Sequence, residues 1–518
     1  MSLSPSPPRS SAAEPPAEPD RPGRSPLGRT GLWAGLVVFG AMLLTPAPEA
    51  LGDPGWRVAA AGLLMAVWWM TEALPLAATA LVPLVLFPLL GVAPLSDAAA
   101  PYANPVIFLF LGGFLLAAAM ERWGLHRRLA LAILAAVGTG PRSVLAGLMA
   151  ATAFLSMWIS NTAAAVMMLP IAVSIALLAG EGPRPRDASP GSYGALPEAP
   201  PLLSRALLLG IAYAASIGGM ATLIGSPTNA LLAGFLRESY GAELSFAGWM
   251  TVGLPVSLLG LGLAYGVLAY VRPGIRLSAF SGGDALVRAE QTALGRISRA
   301  EWYVGLVFGT VAVLWIVRPL LVPVAPGLTD EGLAIAGALV LFALPVRAAS
   351  GERVRVLDWA TAERIPWGVL LLFGGGLSLA AAIQATGLAS WIGELATGAA
   401  AWPFWALVGL VCLVILLLTE ITSNTATASA FLPVLAAVAL SAGHAPLLLL
   451  APAVIAGSGA FMLPVATPPN AIVFGSGLVP LREMARVGVV LNTLFLLLLV
   501  AFSTLALPSL VDLPGSAP

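Results

Sequence analysis

Residues 158–170 read "WISNTAAAVMMLP", with three polar residues inside an apolar run, and a near copy, "EITSNTATASAFLP", occupies residues 420–433. The chain around them has 518 residues, 58% hydrophobic and 10% charged, with a mean hydropathy of +0.92. Continuously apolar runs of about 20 residues, enough to cross a bilayer as a helix, recur along it. The sequence therefore predicts an all-α integral membrane protein that carries two polar motifs at membrane depth.

Composition excludes several other classes of protein. The single cysteine, Cys412, excludes an intramolecular disulfide framework and a cysteine-based metal cluster. The net charge is zero and all 25 basic residues are arginines, which gives no support to a nucleic-acid partner. Residues 1–30 are rich in proline, serine and charge, which predicts a disordered cytoplasmic tail.

Eleven apolar segments are candidate membrane spans, and both "SNT" stretches are left over. Two of the segments contain a break, at "GSPTN" and at "ATPPN". The predicted spans are residues 32–44, 58–70, 74–92, 104–120, 207–235, 252–271, 302–322, 331–346, 367–383, 447–474 and 487–507.

The arginines indicate the orientation of the chain. The arginine-rich connections fall on one side of the membrane if each "SNT" segment enters and leaves on the same side, as a re-entrant hairpin. The opposite connections, 93–103 and 389–401, contain no arginine. The positive-inside rule then places the N-terminus in the cytoplasm and the C-terminus outside, in a multi-pass protein of the cell inner (plasma) membrane. Re-entrant tips need protein or a water-filled cavity around them, so they indicate a site.

An internal repeat relates the two motifs. Ser160 and Ser423 are separated by 263 positions, and the same offset relates Gly124 to Gly387. Downstream, Asn229 and Asn470 are separated by 241. Two copies that face opposite ways form an inverted-topology repeat, which is a common plan of secondary transporters.

Each copy pairs a polar tip with a broken helix, at residues 225–229 and 466–470. Proline frees backbone carbonyls at these breaks, and sodium is a hard cation that takes several oxygen ligands. The pattern predicts two sodium cages, formed by break carbonyls, the amide oxygens of Asn161 and Asn424, and the hydroxyls of Ser156, Ser160, Thr419 and Thr422. The same tips and the helix N-termini can face an anion. Because neither motif contains arginine or histidine, bound cations must help to balance that anion.

Other interpretations compete with this one. Serine, threonine and asparagine also join membrane helices, and Glu420 suits ion binding as well as a buried structural hydrogen bond. An intramembrane hydrolase needs a serine with a base, but the two histidines, His126 and His444, fall near opposite membrane faces in this topology. The inverted repeat with broken helices favours alternating access over a channel.

The stretch "WWMTEALPLAATALVPLVLFPLLGV", at residues 68–92, together with both "SNT" motifs and "ATPPNAIVFGSG", resembles the divalent anion/sodium symporter (DASS) family. The resemblance covers residues 32–507. It implies a transporter and no enzyme, with Na+ as the coupling ion, no organic cofactor, and a small anionic substrate, above all a C4-dicarboxylate such as succinate, malate or fumarate. A sodium-independent dicarboxylate exchanger and a sodium-coupled sulfate transporter remain alternatives. The resemblance also implies a homodimer in the lipid bilayer, with an elevator-type transport domain.

The resemblance assigns domains and residues. Scaffold helices would occupy residues 31–140 and 272–400, and the transport domain residues 141–271 and 401–510. The first sodium site would use Ser156, Ser160, Asn161 and Gly225, and the second Thr419, Thr422, Asn424 and Ala466. Substrate would meet Ser160, Asn161, Thr162, Ser423, Asn424 and Thr425, with Ser226, Pro227, Thr467 and Pro468 close by. A further sodium site is predicted as well, and Glu420 is the candidate residue beside it. The first break, "GSPTN", departs from the family, which more often has threonine before the proline and proline after it.

Overall fold

The computed structural model describes residues 26–138, 140–176, 202–271, 283–348, 351–396, 398 and 401–511. Most of the predicted tail, residues 1–25, lies outside them. Residues 26–30 already belong to a helix that begins at Pro26, so the predicted tail boundary at residue 30 is wrong. Proline suits the first position of a helix because the amide hydrogen it lacks would have no partner there.

Helices dominate the first half of the described chain. A 3-10 turn, Ala100–Ala103, precedes the sixth helix, and a π-helical turn, Val267–Val271, follows the twelfth. The helices are α1 (Pro26–Leu44), α2 (Gly52–Thr71), α3 (Leu76–Thr79), α4 (Val82–Leu89), α5 (Leu95–Ala99), α6 (Pro105–Arg122), α7 (Leu125–Val137), α8 (Pro141–Ser156), α9 (Asn161–Ala176), α10 (Leu202–Gly219), α11 (Pro227–Tyr240) and α12 (Phe246–Gly266).

The second half is also helical, apart from one small hairpin. Its helices are α13 (Gly283–Leu294), α14 (Arg299–Leu321), α15 (Asp330–Ala343), α16 (Trp359–Ala362), α17 (Trp367–Ala385), α18 (Leu388–Leu395), α19 (Phe404–Thr419), α20 (Asn424–Ser441), α21 (Pro446–Gly457), α22 (Pro468–Gly475), α23 (Leu481–Leu505) and α24 (Leu507–Val511), with a 3-10 turn at Pro464–Ala466. Strands β1 (Pro345–Arg347) and β2 (Arg353–Arg355) pair antiparallel. The all-α prediction missed this hairpin because three-residue strands are too short to show alternation.

Within the described ranges, seven helices are long and apolar enough to cross a membrane: Leu27–Leu44, Pro105–Arg122, Phe246–Tyr270, Arg299–Leu321, Trp367–Ala385, Asn424–Ser441 and Leu481–Leu505. Shorter apolar helices accompany them. The chain is thus a helical, multi-pass membrane protein. Within the predicted span 74–92, a turn at Ala80 and Leu81 separates α3 from α4. The count of eleven spans and the re-entrant hairpins stay predictions.

The sequence repeat corresponds to paired structural elements. Helices α8 and α19 begin and end at positions 263 apart, and α9 and α20 begin with the same offset. Gly124 and Gly387 precede α7 and α18 with φ angles of +73° and +74°. Glycine adopts this left-handed conformation without steric cost, which explains why both copies carry it.

Helices from the two copies interlock around the breaks. Helix α22 of the second copy packs against α9 and α10 of the first, and α11 of the first copy packs against α20 and α21 of the second. This exchange brings both polar tips and both breaks close together.

Candidate binding site at the two helix breaks

The polar tips are short turns between paired helices. Helix α8 ends at Ser156 and α9 begins at Asn161, while α19 ends at Thr419 and α20 begins at Asn424. Ser160 caps α9, since its Oγ accepts a hydrogen bond from the Ala163 amide at 3.1 Å. A serine at this position satisfies an amide that the helix leaves without a partner.

The two breaks are held by the same device. Helix α10 ends at Gly219 and α11 begins at Pro227, and the Asn229 amide donates to the carbonyl oxygens of Gly219 at 3.0 Å and Thr222 at 2.8 Å. In the second copy, Asn470 donates to the carbonyls of Ala460 at 3.1 Å and Leu463 at 3.0 Å. Each buried asparagine therefore fixes the unwound backbone before its own helix.

One cavity of about 1340 Å³ joins both tips and both breaks. Ligand pockets commonly measure roughly 300 to 1,000 Å³, so there is room for a small ligand and water. Ser156 and Thr419 lie directly behind the tips, in contact with Asn161 and Asn424. The predicted residues that line the cavity are Ser160, Asn161, Thr162, Gly225, Ser226, Pro227, Thr422, Ser423, Asn424, Thr425, Ala466, Thr467 and Pro468.

An oxygen cluster lies behind the first tip. Ser156 Oγ is 2.6 Å from both Asn161 Oδ1 and the Ala215 carbonyl oxygen. A hydroxyl has one hydrogen and cannot donate to both. The same end of the Asn161 amide is 3.2 Å from the carbonyl oxygens of Ala215 and Gly225. If nitrogen occupies this position, it donates to its neighbours; if oxygen occupies it, the acceptors need a cation among them.

The second tip repeats this arrangement. Thr419 Oγ1 is 2.5 Å from Asn424 Oδ1 and 2.8 Å from the Gly457 carbonyl oxygen, and again one hydrogen serves two acceptors. The Thr422 hydroxyl is engaged elsewhere, donating to the Leu418 carbonyl at 2.7 Å. The same hydroxyl is 2.8 Å from Thr427 Oγ1, so its hydrogen bonds lie within the second copy. The second cluster thus has more oxygen acceptors than donor hydrogens, and the first has the same excess when Asn161 Oδ1 faces inward, an arrangement that suits sodium.

Four helices begin at the cavity wall. Asn161 starts α9, Pro227 starts α11, Asn424 starts α20 and Pro468 starts α22. A helix N-terminus carries a partial charge of about +0.5 and free amide hydrogens, and it favours an anion. The helix N-termini thus offer partial positive charge to an anion without a basic side chain at the tips.

Charged side chains also line this cavity, at Glu72, Glu121, Arg122 and Arg364. Arg122 is 2.6 Å from the Asp358 carboxylate and donates to Thr361 Oγ1 at 3.2 Å. Partial burial opposes the ionisation of Asp358, but hydrogen bonds from Thr361 and Arg122 outweigh it and hold its pKa below the ordinary value. Arg122 is therefore neutralised in a fixed pair.

The carboxylate of Glu420 is surrounded by hydrogen-bond donors and not by the oxygen ligands of a cation site. Its carboxylate accepts hydrogen bonds from the backbone amides of Phe461, Met462 and Leu463 at 2.9 to 3.2 Å, and from the Asn492 side chain at 2.8 Å. A carboxylate surrounded by donors is a poor cation ligand. The structure makes Glu420 an anchor of the unwound segment, which argues against a further sodium ion beside it.

Sequence reasoning missed the carbonyls of Ala215 and Gly457. Backbone carbonyls have no residue signature, and both lie in or at the end of helices that the sequence predicts as ordinary spans.

The two histidines lie away from this site. His126 contacts the Met120 carbonyl at 3.1 Å, and His444 packs on the Phe404 ring. Neither lines the cavity.

Comparison with known proteins identifies relatives of this chain. Residues 29–511 match the model of a family described as the sodium:sulfate symporter transmembrane region. The sodium-dependent dicarboxylate transporter SdcS of Staphylococcus saprophyticus is 40% identical over 492 residues, covering 94% of this chain and 93% of the relative. The SdcS protein of a Staphylococcus aureus strain is also 40% identical, over 499 residues, with the same coverage.

Two solved structures share the fold. The YdaH transporter of Alcanivorax borkumensis superposes with a TM-score of 0.57 at 16% identity, covering 86% of this chain and 98% of that one. MtrF of Neisseria gonorrhoeae, reported among antimetabolite efflux pumps, superposes with a TM-score of 0.54 at 12% identity, covering 93% and 94%. At this identity the likeness concerns the fold alone.

Proposed function

The chain belongs to the sodium:sulfate symporter family, the divalent anion/sodium symporters, and we propose that it transports a C4-dicarboxylate into the cell together with sodium. Succinate, malate and fumarate are such substrates. The convergence of four helix N-termini and two oxygen clusters on one cavity carries this proposal. The helix ends and the bound sodium ions supply the positive charge that a dianion needs.

The two asparagines link the ions to the anion. With sodium in the first cluster, Asn161 Oδ1 points at the cation, and Nδ2 faces the cavity, where it donates to a substrate carboxylate. Without sodium, Nδ2 turns inward to the Ser156 hydroxyl and the carbonyls of Ala215 and Gly225, as the short contacts permit. An acceptor oxygen then faces the anion and repels it. Asn424, beside Thr419, acts in the same way at the second cluster.

The remaining ligands complete each site. Ser156, Ser160, Asn161 and Gly225 hold the first sodium, and Thr419, Thr422, Asn424 and Ala466 the second. The substrate lies between Ser160, Asn161 and Thr162 on one side and Ser423, Asn424 and Thr425 on the other, with the start of each broken helix close by. Those flanking residues are Ser226, Pro227, Thr467 and Pro468.

The proposal extends to the arrangement in the membrane. Eleven spans cross the inner (plasma) membrane and two re-entrant hairpins enter it without crossing, with the N-terminus cytoplasmic and the C-terminus external. The protein forms a homodimer through scaffold segments 31–140 and 272–400. Segments 141–271 and 401–510 carry the substrate as an elevator. The helix pairs α8–α9 and α19–α20 support the two hairpins. Their helices have 16 to 18 residues and are separated by a polar turn, so each pair can enter and leave the membrane on the same side.

Uptake by purified protein in proteoliposomes tests this function. An inward sodium gradient should drive accumulation of radiolabelled succinate, and an equal potassium gradient should not. Malate and fumarate in excess should compete, and sulfate should compete weakly. Equal uptake in potassium would indicate the sodium-independent exchanger, and competition by sulfate alone would indicate the sulfate transporter.

A further inference from the structure

Three buried hydroxyls connect the two broken helices. Ser226 Oγ is 2.9 Å from Thr228 Oγ1 and 3.4 Å from Ser458 Oγ, and Thr228 Oγ1 is 3.3 Å from Ser458 Oγ. Ser226 and Thr228 belong to the first break, whereas Ser458 directly follows α21 at the start of the second. All three side chains are buried, so their hydroxyls depend on one another for hydrogen bonds.

This hydroxyl triangle is formed once and is not copied by the repeat. With the offset of 241, the counterpart of Thr228 is Pro469, which carries no hydroxyl. The contact therefore does not follow from the shared architecture of the two copies, and it joins one copy to the other.

Each end of the triangle is covalently attached to an oxygen cluster. Ser226 shares a peptide unit with the Gly225 carbonyl, which faces Asn161 in the first cluster. Ser458 shares a peptide unit with the Gly457 carbonyl, which contacts Thr419 in the second. A peptide unit is planar, so a side chain that fixes Ser226 or Ser458 also restricts the direction of the carbonyl before it.

We propose that Thr228 and Ser458 are positioning residues that couple the two sodium sites through this triangle. The inference rests on the proposed function, because it takes the two clusters as the sodium sites. An ion that orders the Gly225 carbonyl also orders Ser226, and through Thr228 and Ser458 it orders the Gly457 carbonyl. The second ion then meets a site that is already arranged, which produces positive cooperativity.

Sodium titration of hydroxyl variants tests the coupling. Thr228→Val and Ser458→Ala remove one hydroxyl each, and Thr228→Ser keeps it. Thr228→Pro copies the second repeat at an early helix position that tolerates proline. Thr152→Val is the matched control, because Thr152 is a fully buried threonine whose hydroxyl bonds within its own helix, to the Leu148 carbonyl.

Two readouts are needed: sodium-dependent thermal stabilisation of the purified protein without substrate, and the sodium dependence of succinate uptake. For the stabilisation without substrate, we expect a Hill coefficient approaching about 2 in the unmodified protein, Thr228→Ser and Thr152→Val, and a fall toward about 1 in Thr228→Val, Thr228→Pro and Ser458→Ala. For uptake, which requires both ions, we expect the sodium dependence of these three variants to become less steep. The double variant Thr228→Val/Ser458→Ala should be no worse than either single change.

The outcomes separate the inference from the proposed function. If the unmodified protein takes up succinate cooperatively with sodium and the hydroxyl-free variants keep the same Hill coefficient, the coupling is refuted while the function stands. If the unmodified protein shows neither stabilisation nor uptake with sodium, the proposed function fails and the coupling fails with it.

Discussion

Two asparagines, Asn161 and Asn424, connect the oxygen clusters to the cavity. Their partners Ser156 and Thr419 could be predicted from the sequence, because a hydroxyl five residues before each asparagine recurs in repeat register. The carbonyl partners could not be predicted. Ala215 and Gly457 enter the clusters only because α10 and α21 pack behind the tips, and that packing depends on contacts far apart in sequence.

Removing either amide should weaken sodium binding. We expect Asn161→Ala and Asn424→Ala each to raise the sodium concentration for half-maximal succinate uptake at least about tenfold, or about 1.4 kcal/mol, because one ion ligand and one substrate donor are lost. Gln291→Ala is the control, as this amide bonds to the Leu131 carbonyl away from the cavity. Unchanged sodium dependence in both variants would assign these asparagines to helix packing.

The sequence pattern locates the two helix breaks but does not give their lengths. The prolines identified both breaks, yet both are wider than their motifs, because α10 already ends at Gly219 and α21 at Gly457, which leaves the second break the wider of the two. Glu420 explains the width, since it accepts the amide hydrogens of Phe461, Met462 and Leu463. In the first copy Met157 replaces Glu420, and Thr222 holds the break by accepting from the Gly225 amide at 3.0 Å. Equivalent breaks are thus stabilised by different side chains.

Neutralising this anchor should destabilise the second break. In Glu420→Gln an amide group faces backbone donors, and hydrogen bonds to a charged group contribute about 1.5 to 3 kcal/mol each. We expect a lower unfolding temperature of the purified protein and reduced succinate uptake, with Glu394→Gln, at an exposed position of α18, as the control. A Glu420→Gln protein as stable and active as the control would show that the anchor is dispensable.

For the whole molecule, composition and apolar runs were sufficient to predict a helical membrane protein with an internal repeat. The number of crossings is harder to predict, since a helix needs about 20 residues to cross the bilayer core. Helix α19 has 16 residues and α21 has 12, and both are as apolar as true spans. Length and hydropathy alone do not distinguish a re-entrant helix from half of a broken span.

Labelling of single cysteines tests the orientation. In a Cys412→Ala background, Ser96→Cys should react with an impermeant maleimide from outside intact cells, and Glu363→Cys should react only after the membrane is opened. Both positions are exposed in the structure, and the positive-inside rule places them on opposite faces. Labelling of both from the same side would refute the topology of eleven spans and two hairpins.

The central claim is that sodium prepares the cavity for a dianion. Calorimetric binding of succinate to the purified protein, repeated over a series of sodium concentrations at constant ionic strength, tests it most directly. Because two oxygen clusters must fill before both asparagines face the substrate, the logarithm of the succinate Kd should fall with the logarithm of sodium concentration with a slope approaching about two at low sodium. A succinate Kd that stays constant when potassium replaces sodium would contradict the account.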